Sequence, residues 1–186
     1  MNSTARLESL LKIVLLLAVV NTGYLSWRYL ALSEGIAAPG TGICSLTEGV
    51  DCDKVLSTPE ARVFSVPNAL LGFGFFFGCL LWLVAGLKLG DAYRHHVVRT
   101  LAVWLIVATF FTFRFFWLLV HLPALCPLCP FNHLLTYAAT VSAVLLWRTT
   151  PAAEKVSAKP LIVLVSVCVA QFFLWLVVWH LFFRND

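Results

Sequence analysis

Long apolar runs separated by short polar intervals dominate the pattern of this chain. The runs lie near 10–30, 66–87, 97–120, 126–147 and 160–183. Each is about 20 residues long and poor in charge, the length of helix that crosses a bilayer. In lipid every backbone N–H and C=O must be paired within the protein, so each run predicts a self-satisfied helix. No repeat, low-complexity tract or second soluble segment lies between them. The pattern therefore predicts an all-α integral membrane protein with five transmembrane helices, a single domain over 1–186.

The polar intervals are short except the first, about 31–65, which opens on Gly35, Pro39, Gly40 and Gly42, marks of irregular chain. From Asp53 to Phe64 apolar and charged residues mix. That mixture suits a short element lying on the membrane surface and capping the bundle, interrupted at Pro59. Pro67 falls in the first turn of the second span, where its missing N–H is tolerated. In the first span Arg6 and Lys12 precede the apolar stretch, as in a cleaved leader. Its length and its closing Tyr24, Trp27, Arg28 and Tyr29 predict instead a retained helix anchored at the interface.

With 61% hydrophobic, 14% aromatic and 12% charged residues, the chain lacks the polar surface of a water-soluble domain. Its net charge of +4 comes from an asymmetry. Arg6, Lys12, Lys88, Arg94, Arg99, Arg148, Lys155 and Lys159 fall on one side of five alternating spans. Arg28, Lys54, Arg62 and Arg184 fall on the other, where Glu34, Glu48, Asp51, Asp53 and Glu60 outnumber the bases of the long loop. The positive-inside rule places the N-terminus in the cytoplasm and the long loop and C-terminus outside. Charge so explained points to the lipid bilayer as partner and gives no reason to expect nucleic acid.

The six cysteines sort by location. Cys44 and Cys52 lie in the outer loop, Cys126 and Cys129 at the outer mouth of the fourth span. Cys79 and Cys168 lie inside spans two and five and read as small apolar filler. Cys126-Pro127-Leu128-Cys129 stands where a non-helical stretch becomes an apolar run, at or near a helix N-terminus whose partial positive charge favours thiolate. Alone, C-x2-C also fits half a zinc site, and Cys44 with Cys52 alone suits a structural disulfide. Two pairs on one oxidising face open a relay by thiol–disulfide exchange.

His133 follows Cys129 by one turn, then Thr136, Tyr137 and Thr140, a polar stripe inside a span. Polar groups at that depth are functional candidates, and His133 has the chemistry to donate to a quinone carbonyl or carry a proton. Arg114, near the outer end of span three, is expected to snorkel toward the headgroups. A different reading takes Cys126, Cys129, His121 and His133 as ligands for zinc or copper in a metal-binding or transport protein. It leaves Cys44 and Cys52 without a role.

Cys44-x7-Cys52, Asp53-Lys54-Val55-Leu56-Ser57-Thr58, Val63-Phe64-Ser65-Val66-Pro67-Asn68-Ala69-Leu70-Leu71-Gly72 and Cys126-x2-Cys129, in that order, resemble the vitamin K epoxide reductase family in its bacterial form. The resemblance implies a four-helix bundle around a quinone (ubiquinone or menaquinone) with a fifth helix beside it, in the bacterial cytoplasmic membrane. It implies that Cys44 takes electrons from a reduced, secreted thioredoxin-like protein and that Cys52 passes them to Cys126. Cys129 would then face the quinone ring, with His133, Thr58, Ser57 and Tyr137 as quinone contacts. Ser65 stands where glycine is usual in the family, Glu60 where an aromatic residue is usual, and His133 where vertebrate members carry tyrosine. The second span is also expected to lack the asparagine that vertebrate members aim at the quinone, which argues against epoxide chemistry.

Many bacterial members continue into a fused thioredoxin-like domain. This chain ends at Asp186, so the resemblance implies a separate partner protein. The expected activity is quinone-dependent thiol oxidation that regenerates disulfides in that partner. Another known membrane arrangement of two cysteine pairs puts the C-x2-C in the first outer loop, the reverse of the order here.

Overall fold

The structure, a computed structural model, describes residues 3–47, 49–63, 65–122, 124–152 and 156–182. Expectations resting on Glu48, Phe64, Pro123, Lys155 and Arg184 lie outside the described residues. In chain order the elements are α1 (Ser3–Ser33), α2 (Cys52–Leu56), a 3-10 turn (Pro59–Ala61), β1 (Arg62–Val63), β2 (Val66–Pro67), α3 (Asn68–Leu87), α4 (Asp91–Val120), α5 (Leu128–Thr149) and α6 (Lys159–Phe182). Five of these, α1, α3, α4, α5 and α6, are long and apolar enough to cross a membrane. α1 and α4 begin earlier than hydrophobicity alone predicts. Near these polar starts Glu8 bridges Lys12 within α1 and Arg94 of α4, which supports the helical extension.

α1 packs on α3 and α5, and α4 packs on the same two, so these four close a ring while α6 lies outside it on α3. This is the expected bundle with one flanking helix. Its core is built from Leu11 and Leu15 of α1, Trp82 and Leu83 of α3, Leu101 and Leu105 of α4, and Ala143 and Leu146 of α5. Small residues set the approach of the helices. At Gly86 an added Cβ would lie 2.7 Å from Val97 Cγ1, and the Trp82 indole next to it donates to the Val97 carbonyl at 2.8 Å. α6 is fastened by Gln171, whose Nε2 donates to the Gly74 carbonyl at 3.0 Å. Cys79 and Cys168 are buried in the core, as filler should be.

The surface element is more ordered than the sequence predicts. Pro59 opens the 3-10 turn rather than ending order, and β1 and β2 form a two-rung antiparallel hairpin. Ser65, in the tight connection, has φ of +65°. That left-handed conformation suits glycine, which explains why glycine is usual at this position.

Candidate redox site

Three local devices hold the long loop over the mouth of the bundle. Asp51 caps α2, its Oδ1 accepting from the N–H groups of Asp53 at 2.9 Å and Lys54 at 3.3 Å and from Ser45 Oγ at 2.5 Å. The strip around Val50 pairs with the residue before Cys126: Asp51 N–H donates to the Leu125 carbonyl at 3.1 Å, and Leu125 N–H to that of Gly49 at 2.9 Å. Arg28 of α1 and Asp53 of α2 form a buried bidentate ion pair, Nε to Oδ1 at 2.7 Å and Nη2 to Oδ2 at 2.6 Å.

The result is a contact among three sulfurs. Cys44 and Cys52 form a disulfide with Cα atoms 5.6 Å apart. Cys126 Sγ lies 2.9 Å from Cys52 Sγ. Cys126 and Cys129 are free thiols, Cys126 buried and Cys129 half-buried. As the pattern of residues 126–129 predicts, the dithiol sits at a helix start, Cys126 just ahead of α5 and Cys129 within its first turn. The Cys129 thiol, with the N–H groups of Cys129 and Leu128, holds the Cys126 thiol below its ordinary range although burial opposes this. Hydrogen bonds from Arg28 likewise hold the Asp53 carboxyl below the usual carboxylate range.

Arg28 lies near the outer end of α1, where the sequence places it, but it is buried at 4% exposure and paired with Asp53, so the two cancel in the charge asymmetry.

The other expected contacts divide. His133 and Tyr137 are half-buried on the side of α5 that meets α4, His133 6.2 Å from the Phe116 ring and Tyr137 5.9 Å from that of Phe113. Thr140 of the same stripe reaches Thr109 Oγ1 at 3.0 Å. Ser57 and Thr58 use their hydroxyl protons on α2 carbonyls, those of Asp53 at 2.7 Å and Val55 at 2.9 Å, leaving only lone pairs for a ligand. Among the described residues no three His, Cys, Asp or Glu side chains gather to hold a metal. The ring of His121 turns back to the Trp117 carbonyl at 2.7 Å, so it does not join the cysteines.

Two polar side chains escape a reading of the sequence, and the second, Asn68, corrects the expectation that the second span lacks an asparagine, since α3 starts on it. Asn21, buried in α1, donates from Nδ2 to the Leu128 carbonyl at 3.1 Å and to Asn132 Oδ1 at 3.5 Å, bracing the start of α5. Asn68, first residue of α3, donates to the Glu60 carbonyl at 3.0 Å, and its Oδ1 is buried without a hydrogen-bond partner. Both stand in apolar stretches, and an isolated polar residue within a predicted span is the signal that finds them. Two clefts open elsewhere. One of about 330 Å³ lies between α6 and the hairpin, and one of about 410 Å³ is lined by Arg94, His95 and Thr150; Cys129 and His133 border neither.

Membrane-length helices that hold a disulfide against a second, reduced cysteine pair define a class, the membrane thiol oxidoreductases. The chain belongs to the vitamin K epoxide reductase family: the family model matches residues 9–144, from α1 through most of α5. Membership makes it a multi-pass membrane oxidoreductase of a kind that works with a quinone and a redox partner. No curated protein and no solved structure matches the chain.

Proposed function

We propose that the chain is a quinone-dependent thiol oxidase that returns disulfides to a separate, secreted thioredoxin-like protein. Electrons pass from Cys44 and Cys52 to Cys126 and Cys129. The observation that carries this reading is the 2.9 Å contact of Cys126 Sγ with Cys52 Sγ, which makes Cys52 the sulfur common to both pairs.

A partner thiolate attacks Cys44. The partner–Cys44 bond forms, the Cys44–Cys52 bond breaks, and the electron pair leaves on Cys52. The second partner thiol then displaces Cys44 and the partner departs oxidised. When Cys126 and Cys129 are bonded, the Cys52 thiolate attacks Cys126 and expels Cys129, and Cys44 attacks Cys52 and expels Cys126. Two electrons and two protons have then moved from the partner to the inner pair. The loop disulfide and free inner thiols of the structure are the state after this exchange. The greater acidity of the Cys126 thiol speeds the last step, since a more stable thiolate leaves faster. Cys44 is only 5% exposed, so the partner enters as the 42–47 turn lifts.

A bound quinone supplies the two-electron sink that restores the Cys126–Cys129 disulfide. The residues present fit such a group. Asn68 offers an unpaired buried acceptor to a quinol hydroxyl, and Phe116 offers an aromatic face. His133, one turn below Cys129, holds or hands on the proton that Cys129 gives up; Tyr137, Ser57 and Thr58 are the remaining candidates for contact. The orientation supported best has the cysteine end outside a bacterial cytoplasmic membrane. Lys12 and Arg94 cluster on Glu8, near the starts of α1 and α4, away from the cysteine end. The single domain extends over 1–186.

Purified protein mixed with the reduced thioredoxin-like partner and a soluble quinone should bleach the quinone. Cys126→Ala and Cys129→Ala should each abolish the bleaching; turnover surviving in either variant would overturn the path.

A further inference from the structure

Arg28 and Asp53 are the buried charges closest in sequence to the loop pair. Arg28 is 4% exposed and Asp53 1%, and Asp53 directly follows Cys52. Their hydrogen bonds reach beyond one another. Arg28 Nη2 also donates to the Ala38 carbonyl at 2.9 Å and to Thr41 Oγ1 at 2.8 Å. Asp53 Oδ2 also accepts from the N–H groups of Gly40 at 2.9 Å and Gly42 at 3.3 Å. Gly42 is required for that approach, since a Cβ there would lie 2.9 Å from Asp53 Oδ1.

The pair therefore ties three things together: a membrane-length helix, the turn that leads into Cys44, and the residue after Cys52. Stability alone is a poor reason for it. The cost of taking both charges out of water is about as large as their attraction, and apolar side chains of similar volume would pack the site as well. What apolar packing would not do is fix both arms of the loop in one orientation by directional bonds.

We propose that Arg28 and Asp53 are positioning residues for the disulfide exchange, holding the sulfur of Cys52 against that of Cys126 whichever of its two bonds is closed. The proposal rests on the exchange path given above. The groups that act electrostatically on Cys126 are Cys129 from α5 and Asp53 from α2. The Asp53 carboxylate opposes the Cys126 thiolate, and Arg28 is placed to cancel it.

The test needs neither quinone nor partner. Full-length protein carrying Cys44→Ser and Cys129→Ser keeps Cys52 and Cys126 as the thiols of this site. Its equilibrium with a glutathione redox buffer, read by alkylation and mass mapping, measures how closely the two are held. Asp53→Asn, which keeps the shape of the side chain, should lower the tendency to form that bond by roughly 10-fold or more, and so should Arg28→Gln. In protein with Cys126 and Cys129 intact, alkylation of Cys126 against pH should separate the two. Asp53→Asn leaves Arg28 bare and moves the midpoint down, whereas Arg28→Gln leaves Asp53 bare and moves it up. An unchanged bond equilibrium, or midpoints that move the same way, would overturn the positioning role. Failure of the bond to form with both charges intact would instead sink the exchange path itself.

Discussion

Cys126 is buried, yet its thiol is held below the ordinary range by the Cys129 thiol and two N–H groups at the start of α5. It should therefore react with a small alkylating agent at pH values where an ordinary thiol is mostly protonated. Cys129→Ala removes one of the donors to the thiolate, so the midpoint of that profile should rise; no rise would remove Cys129 from the account of Cys126. The helix start and the dithiol were legible in residues 126–129 because both are local features. The partnership of Arg28 with Asp53 was not, because the two stand 25 positions apart and each alone reads as an interfacial charge. Ser65 is a case where the resemblance saw a departure and the backbone explains it. At φ of +65° a side chain is strained, so Ser65→Gly should raise stability in detergent by about 1 kcal/mol. An equal gain from Ser65→Ala would contradict that reason.

Among the elements, the four ring helices and α6 follow from apolar run length, because in lipid a run of that length has few other solutions. Their ends did not follow. α1 and α4 continue through charged turns that Glu8, Lys12 and Arg94 pair across two helices, which no window of hydropathy detects. Close approach of α3 and α4 depends on Gly86, where a β-branched neighbour cannot give way easily. Gly86→Ala should cost roughly 1–3 kcal/mol in unfolding measurements, through overpacking against Val97. α6 lies beyond the residues matched by the family model, yet it contributes to the redox end. Trp179 packs into the cluster that holds Cys44, Cys52 and Cys126, with its ring 5.5 Å from that of Tyr29. Trp179→Ala should make the loop disulfide react faster with a small reductant. An unchanged rate would confine α6 to a lipid-facing role.

For the whole molecule, the sequence supplied the two cysteine pairs and the fold class. The contact between the pairs needed the structure. That contact depends on a rung between Val50 and Leu125, residues 75 positions apart in the chain with no motif linking them. The same long-range joining explains why the metal-ligand reading was open in sequence and is not favoured in the structure, where His121 turns away from the cysteines. The central claim is that Cys52 is the sulfur shared by outer and inner pairs, and a disulfide map of Cys44→Ala protein under non-reducing conditions tests it most directly. The account predicts that oxidation of this variant traps a Cys52–Cys126 bond and that Cys52→Ala protein traps no bond between Cys44 and the inner pair. A Cys52–Cys129 bond in the first variant, or equal trapping in both, would contradict it.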